Sequence, residues 1–73
     1  MEKLIELLSD IRPDVDFAAE NKLVTDGILD SFDIVAIVSE INDAYGISIG
    51  VTELLPENFD SADAIYALIK AKL

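Results

Sequence analysis

Residues 24–46 read VTDGILDSFDIVAIVSEINDAYG, and the rest of the chain is organised around this stretch. Asp26-Gly27 is a turn signal, because glycine adopts backbone conformations that cost other residues energy. Ile28 and Leu29 follow as two apolar anchors, and Asp30 and Ser31 are both residue types that start helices. From Ser31 the apolar residues Ile34, Ile37, Val38, Ile41 and Tyr45 recur at helical period, so this stripe is expected to line the core. Gly46 then ends the helix, since glycine is favoured just past a helix C-terminus.

Toward the N-terminus, residues 2–11 carry Leu4, Leu7, Leu8 and Ile11 on one helical face. Pro13 stops this helix near Ile11 or Arg12, because the residue before a proline is pushed out of helical geometry. Residues 14–30 form a long connection without a sustained period, of a length that is uncommon in small domains and often functional. Phe17, Leu23, Val24, Ile28 and Leu29 are expected to pin it, with one helical turn at Ala18-Ala19-Glu20. Toward the C-terminus, Ile47-Ser48-Ile49 reads as a short extended piece. Thr52 is expected to cap a brief helix through Glu53, Leu54 and Leu55 that Pro56 interrupts. Asn58, Phe59 and Asp60 read as a turn with Phe59 as its core anchor. Asp60-Ser61 opens a last helix with Ala62, Ile65, Tyr66, Ile69 and Leu73 on its stripe. The expected fold is all-α: one domain over residues 1–73, a small four-helix bundle of three main helices and one short helix, with a long first loop.

Composition removes whole classes of chemistry. Cysteine and histidine are both absent, which excludes disulfides, cysteine or histidine metal sites, a catalytic triad and an imidazole base. Thiol chemistry would need a thiol brought in from outside the chain. The net charge of −10 opposes nucleic acid and favours basic partners. A hydrophobic fraction of 52% is too high for a disordered acidic tail. No apolar run reaches transmembrane length, and Glu2 and Glu6 stand where a signal peptide carries positive charge, so a soluble, cytoplasmic domain is expected. The basic residues are Lys3, Arg12, Lys22, Lys70 and Lys72, so none lies between Lys22 and Lys70. The acids of that interval are expected to leave the central helix in an uncompensated negative field, which also suits a plain solvated surface.

Two Asp-Ser pairs stand at helix starts, Asp30-Ser31 and Asp60-Ser61, and each reads first as ordinary helix capping. Their surroundings differ. Phe32 and Val35 project off the core stripe beside Ser31, whereas Ser61 has only Ala62 and Ala64. Phe32 either folds back onto the long loop or, with Val35, forms an apolar docking spot rimmed by Asp30, Asp33, Glu40 and Asp43. As a nucleophile of its own, Ser31 lacks a base and a visible oxyanion motif. A serine that receives a group from another enzyme needs only exposure, a helix N-terminus that favours phosphate and a surface to grip.

Asp30-Ser31-Phe32-Asp33, at the head of an apolar-acidic helix in a small acidic chain, resembles the acyl carrier protein family. That family's signature is Asp-Ser-Leu or a close variant, and its serine carries 4′-phosphopantetheine donated by coenzyme A. The resemblance spans nearly the whole chain: the long first loop, Gly46, Ile47-Ser48-Ile49 and Glu57-Asn58-Phe59-Asp60-Ser61. It implies a phosphopantetheine arm on Ser31, an acyl or aminoacyl group held on it as a thioester, and a role as a monomeric substrate passed between enzymes rather than as an enzyme. The implied partners are a phosphopantetheinyl transferase, a loading ligase and acyl-transferring enzymes with basic surfaces. These would dock on Phe32 and Val35 and be steered by Asp30, Asp33, Glu40 and Asp43. Phe32 departs from the usual leucine, and Ala36 sits where many fatty-acid carriers have another acid. The approach Asp26-Gly27-Ile28-Leu29-Asp30-Ser31 is closer to D-alanyl and aminoacyl carriers, such as those serving teichoic acid modification, than to carriers of fatty-acid synthesis. The competing class is an acidic helical adaptor that uses the same patch with Ser31 unmodified.

Overall fold

A computed structural model describes residues 1–73 as helices and turns, with no strand. Helix α1 runs Glu2–Ile11, α2 Ser31–Tyr45, α3 Pro56–Phe59 and α4 Ala62–Lys72. A single 3-10 turn, Val51–Glu53, precedes α3. Helix α1 lies against both α2 and α4, and α3 packs on α4. The result is the small helical bundle that the periodicities require, with three main helices and one short one. No helix is long and apolar enough to cross a membrane.

The core contains only apolar side chains. Leu4 and Leu8 come from α1, Ile37 and Ile41 from α2, and Ala62, Ile65 and Ile69 from α4. The long first loop contributes Phe17, Leu23 and Leu29, all buried, with Val24 and Ile28 packed at the edge. Each large loop side chain so buried stabilises the fold by about 1.5–3 kcal/mol relative to its exposed state. Hydrogen bonds fasten the same loop. Glu20 N–H closes an α-turn on the Asp16 carbonyl at 3.0 Å, at the expected Ala18–Glu20 turn. Leu23 donates to the Asp60 carbonyl and accepts from Leu29 N–H, both at 2.8 Å. The reversal between Leu23 and Leu29 passes through Gly27 at φ +73°, in the left-handed region that favours glycine. Gly46, at φ +65°, ends α2 in the same way.

Six expectations are corrected. Pro56 does not interrupt a helix; it starts α3 as its first residue, where its missing N–H has no helical partner to lose. The turn expected at Asn58-Phe59 is therefore the end of that helix, and the preceding piece is the shorter 3-10 turn, led by Gly50 rather than capped by Thr52. Ile34 is half-buried and stays outside the apolar cluster, because the first turn of α2 meets α1 through the Asp33–Arg12 ion pair and close packing begins at Ile37. Leu73 follows the last turn of α4 and is 74% exposed, beyond the edge of the core. Finally, the negative field is partly compensated by tertiary contacts. Arg12 reaches Asp33 at 2.6 Å, Lys72 reaches Glu53 at 2.8 Å, and Lys3 donates to the Ala44 carbonyl at 3.2 Å while lying over the Tyr45 ring.

Candidate functional site

Asp30, in extended geometry, is the N-cap of α2, and Ser31 is the first helical residue. The Asp30 carboxylate accepts from Asp33 N–H at 2.9 Å, and the Asp33 carboxylate accepts from Asp30 N–H at 3.2 Å. This reciprocal capping box satisfies two of the free amides of the first turn from either side of Ser31. The Ser31 hydroxyl enters neither bond, and the residue is exposed. A hydroxyl on the first turn of a 15-residue helix lies at the positive end of its dipole, where a covalently attached phosphate is favoured.

Beneath the capping box stands Arg12, the residue after α1. Its Nη1 donates to Asp33 Oδ2 at 2.6 Å and to the Ile28 carbonyl at 3.2 Å. Its Nε and Nη2 form a fork on the Asp14 carboxylate at 3.0 and 2.9 Å. The Asp14 contact, with that of Asp33, raises the Arg12 pKa further above its ordinary value, and the same fork lowers that of Asp14. Asp33 Oδ2 thus serves Arg12 and Asp30 N–H together, and one chain of contacts joins the end of α1 to the residue before Ser31.

The apolar residues beside Ser31 face solvent: Phe32 is 85% exposed and Val35 61%. Phe32 does not fold back onto the loop, so of the two readings the exposed one holds. Asp30, Glu40 and Asp43 are exposed as well. They do not form one tight ring. At 1.5 Å per residue, Glu40 lies about 13 Å and Asp43 about 18 Å along the helix from Ser31. Glu40 borders a shallow groove of about 410 Å³ shared with Lys3, Glu6 and Asp10 of α1. Asp33, with its side chain 17% exposed, is committed to Arg12 and the cap. Ser31, Phe32 and Val35 are therefore brought together with Asp30, while Glu40 and Asp43 extend the acidic surface along the helix.

Three features went unread in the sequence. Arg12 registered there only as a helix stop, although a basic residue at a helix C-terminus is a natural candidate for an ion pair. Asp60 is a clamp: Oδ1 accepts from Val24 N–H at 3.0 Å and Thr25 N–H at 2.8 Å, and Oδ2 from the Thr25 hydroxyl at 2.7 Å. The donors from Thr25 hold its pKa below the ordinary aspartate value. Val51 is 84% exposed and Leu55 46%, a second apolar surface around the 3-10 turn that no period announces. No group of His, Cys, Asp or Glu is arranged to hold a metal ion. Compared with family models, curated proteins and solved structures, the chain matches none of them.

Proposed function

We propose that this chain is a carrier protein of the acyl carrier type, with Ser31 as the attachment point for 4′-phosphopantetheine. The observation that carries the reading is the register of α2: Asp30 performs the capping, so the serine hydroxyl is left over, exposed, at a helix N-terminus. The arm would supply the terminal thiol that a cysteine-free chain lacks and hold an acyl or aminoacyl cargo as a thioester. Phe32 and Val35 would give a transferase, a loading ligase or an acyl-transferring enzyme an apolar grip next to the attachment point. Asp30, Glu40 and Asp43 would steer basic partner surfaces, and the engaged Asp33 would serve the site by shaping its first turn. Contacts of this kind are small and salt-sensitive, which suits a substrate that must leave each enzyme quickly. The chain itself would catalyse nothing. The Gly27-Ile28-Leu29-Asp30-Ser31 approach favours an aminoacyl cargo such as D-alanine over a fatty acyl chain.

The test is intact mass after incubation with coenzyme A, magnesium and a broad-specificity phosphopantetheinyl transferase. One added phosphopantetheine is expected in the parent and in Ser61→Ala, and none in Ser31→Ala. No addition to the folded parent with several transferases would leave the unmodified adaptor as the better reading.

A further inference from the structure

We propose that Arg12 is the positioning residue for modification of Ser31, acting through Asp33. The inference rests on the carrier reading and deepens it. Transfer to Ser31 forms a bond between its Oγ and the β-phosphorus of coenzyme A. The bond from that phosphorus to the nucleotide breaks, 3′,5′-ADP leaves, and the hydroxyl proton passes to a base of the transferase. The chain's own contribution is to present Oγ in one place. Position matters steeply in such a displacement, since an error of about 1 Å costs on the order of a hundredfold in rate.

Three observations assign this task to Arg12. First, it is the only basic side chain bonded to the turn that carries Ser31, through Asp33 Oδ2 at 2.6 Å. Second, that same carboxylate oxygen accepts from Asp30 N–H, so the guanidinium bears on the residue directly before the serine. Third, Nη1 also holds the carbonyl of Ile28, two residues before the cap. Arg12 therefore grips the chain on both sides of Ser31, from a base that is itself fixed by the fork on Asp14. A planar guanidinium can make these contacts at once, whereas a lysine ammonium cannot reproduce the fork. Charge acts in the same direction. An incoming phosphate meets Asp30 and Asp33 beside Ser31, and Arg12, which Asp33 shares with Asp14, offsets part of the charge of Asp33. The buried apolar core does not explain the arrangement, because Arg12 is outside it and its side chain is 29% exposed.

The experiment uses the full chain as the parent, Arg12→Ala and Arg12→Lys, with two readouts. Amide hydrogen exchange is followed at Asp33 and Ile34, whose N–H groups bond to Asp30, and at Ala64 and Ile65, which bond to Ser61. Steady-state transfer from coenzyme A is followed as kcat and KM for the carrier. In Arg12→Ala, exchange is expected to rise at Asp33 and Ile34 while remaining at the parent rate at Ala64 and Ile65. The value of kcat is expected to fall about tenfold with KM within about twofold, the pattern of lost positioning rather than lost docking. Arg12→Lys is expected between the two. Parent-like kcat in Arg12→Ala overturns the proposal, as does exchange that rises equally at both helix starts, which would make Arg12 a general stabiliser. Should Arg12→Ala fail to fold, parent-like exchange and kcat in Arg12→Lys overturn it in the same way. A parent that is never modified removes the carrier reading and this proposal together. A parent modified no faster than Arg12→Ala removes this proposal alone.

Discussion

At Asp30-Ser31 the aspartate caps the helix and the serine becomes its first residue; at Asp60-Ser61 the serine caps and the aspartate turns elsewhere. Ser61 Oγ accepts from Ala64 N–H at 3.0 Å, the bond that Asp30 makes with Asp33 N–H in the other pair. Asp60, released from capping, binds Val24 and Thr25 and fastens the long loop. Ser31, released in its turn, has no structural duty. A shift of one residue in where the helix begins thus decides which member of the same dipeptide caps the helix. The partners that engage the two pairs are distant in sequence: Thr25 for Asp60, and Arg12, through Asp33, for Asp30.

The comparison breaks most decisively at modification. Gain of phosphopantetheine is expected to vanish in Ser31→Ala and to persist in Ser61→Ala, and intact mass reads both. A gain that survives Ser31→Ala would reverse the roles assigned to the two serines.

Next in size is the clamp. Asp60→Ala removes three acceptor contacts at once, and the largest fall in Tm among these variants is expected for it. The effect should depend on pH. Because the Asp60 pKa is lowered in the folded protein, chiefly by the Thr25 hydroxyl, its charged form contributes stability above the ordinary aspartate range. That contribution is lost as pH falls through the depressed value. The Tm gap between parent and Asp60→Ala, measured by thermal melts across pH, should be widest near neutrality and close on acidification. A gap that widened toward acid would contradict the clamp.

Capping comes third. Ser61→Ala and Asp30→Ala are each expected to cost about 1 kcal/mol, as removal of a helix N-cap does. In a domain of this size that corresponds to roughly 4–8 °C in Tm. Ser31→Ala should stay within about 0.5 kcal/mol of the parent, because no fold contact depends on its hydroxyl. Equal losses at the two serines would mean that both cap.

The smallest effect on stability belongs to Phe32. Phe32→Ser is expected to leave denaturant unfolding within about 0.5 kcal/mol of the parent, given a ring 85% exposed. The same variant should raise KM for a transferase, and an unchanged KM would remove Phe32 from the docking surface.

Much of the fold was legible because its signals are local. The period of Leu4 and Leu8, the start at Ser31, the stop at Gly46 and the anchoring by Phe17 and Phe59 all stand where the pattern puts them. Misreadings occurred where local signals conflict or end. Pro56 can stop a helix or start one, and only the chain before it decides which. Ile34 and Leu73 sit on apolar stripes, but a stripe does not state where its neighbours cease to cover it. At the candidate site, the pattern placed the helix start at Ser31, where the structure has it, and named Phe32 and Val35, which the structure leaves exposed. It left open whether Phe32 is covered and did not announce the ion pair between Arg12 and Asp33.

The sequence by itself determined the three long helices, the loop anchors and the missing chemistry, because periodicity, turn residues and the absence of cysteine and histidine are properties of neighbouring residues or of composition. Only the tertiary structure decided which Asp and which Ser serve the fold and which face solvent. Those choices depend on contacts spanning 21 residues from Arg12 to Asp33 and 35 from Thr25 to Asp60, separations at which a local pattern carries no information.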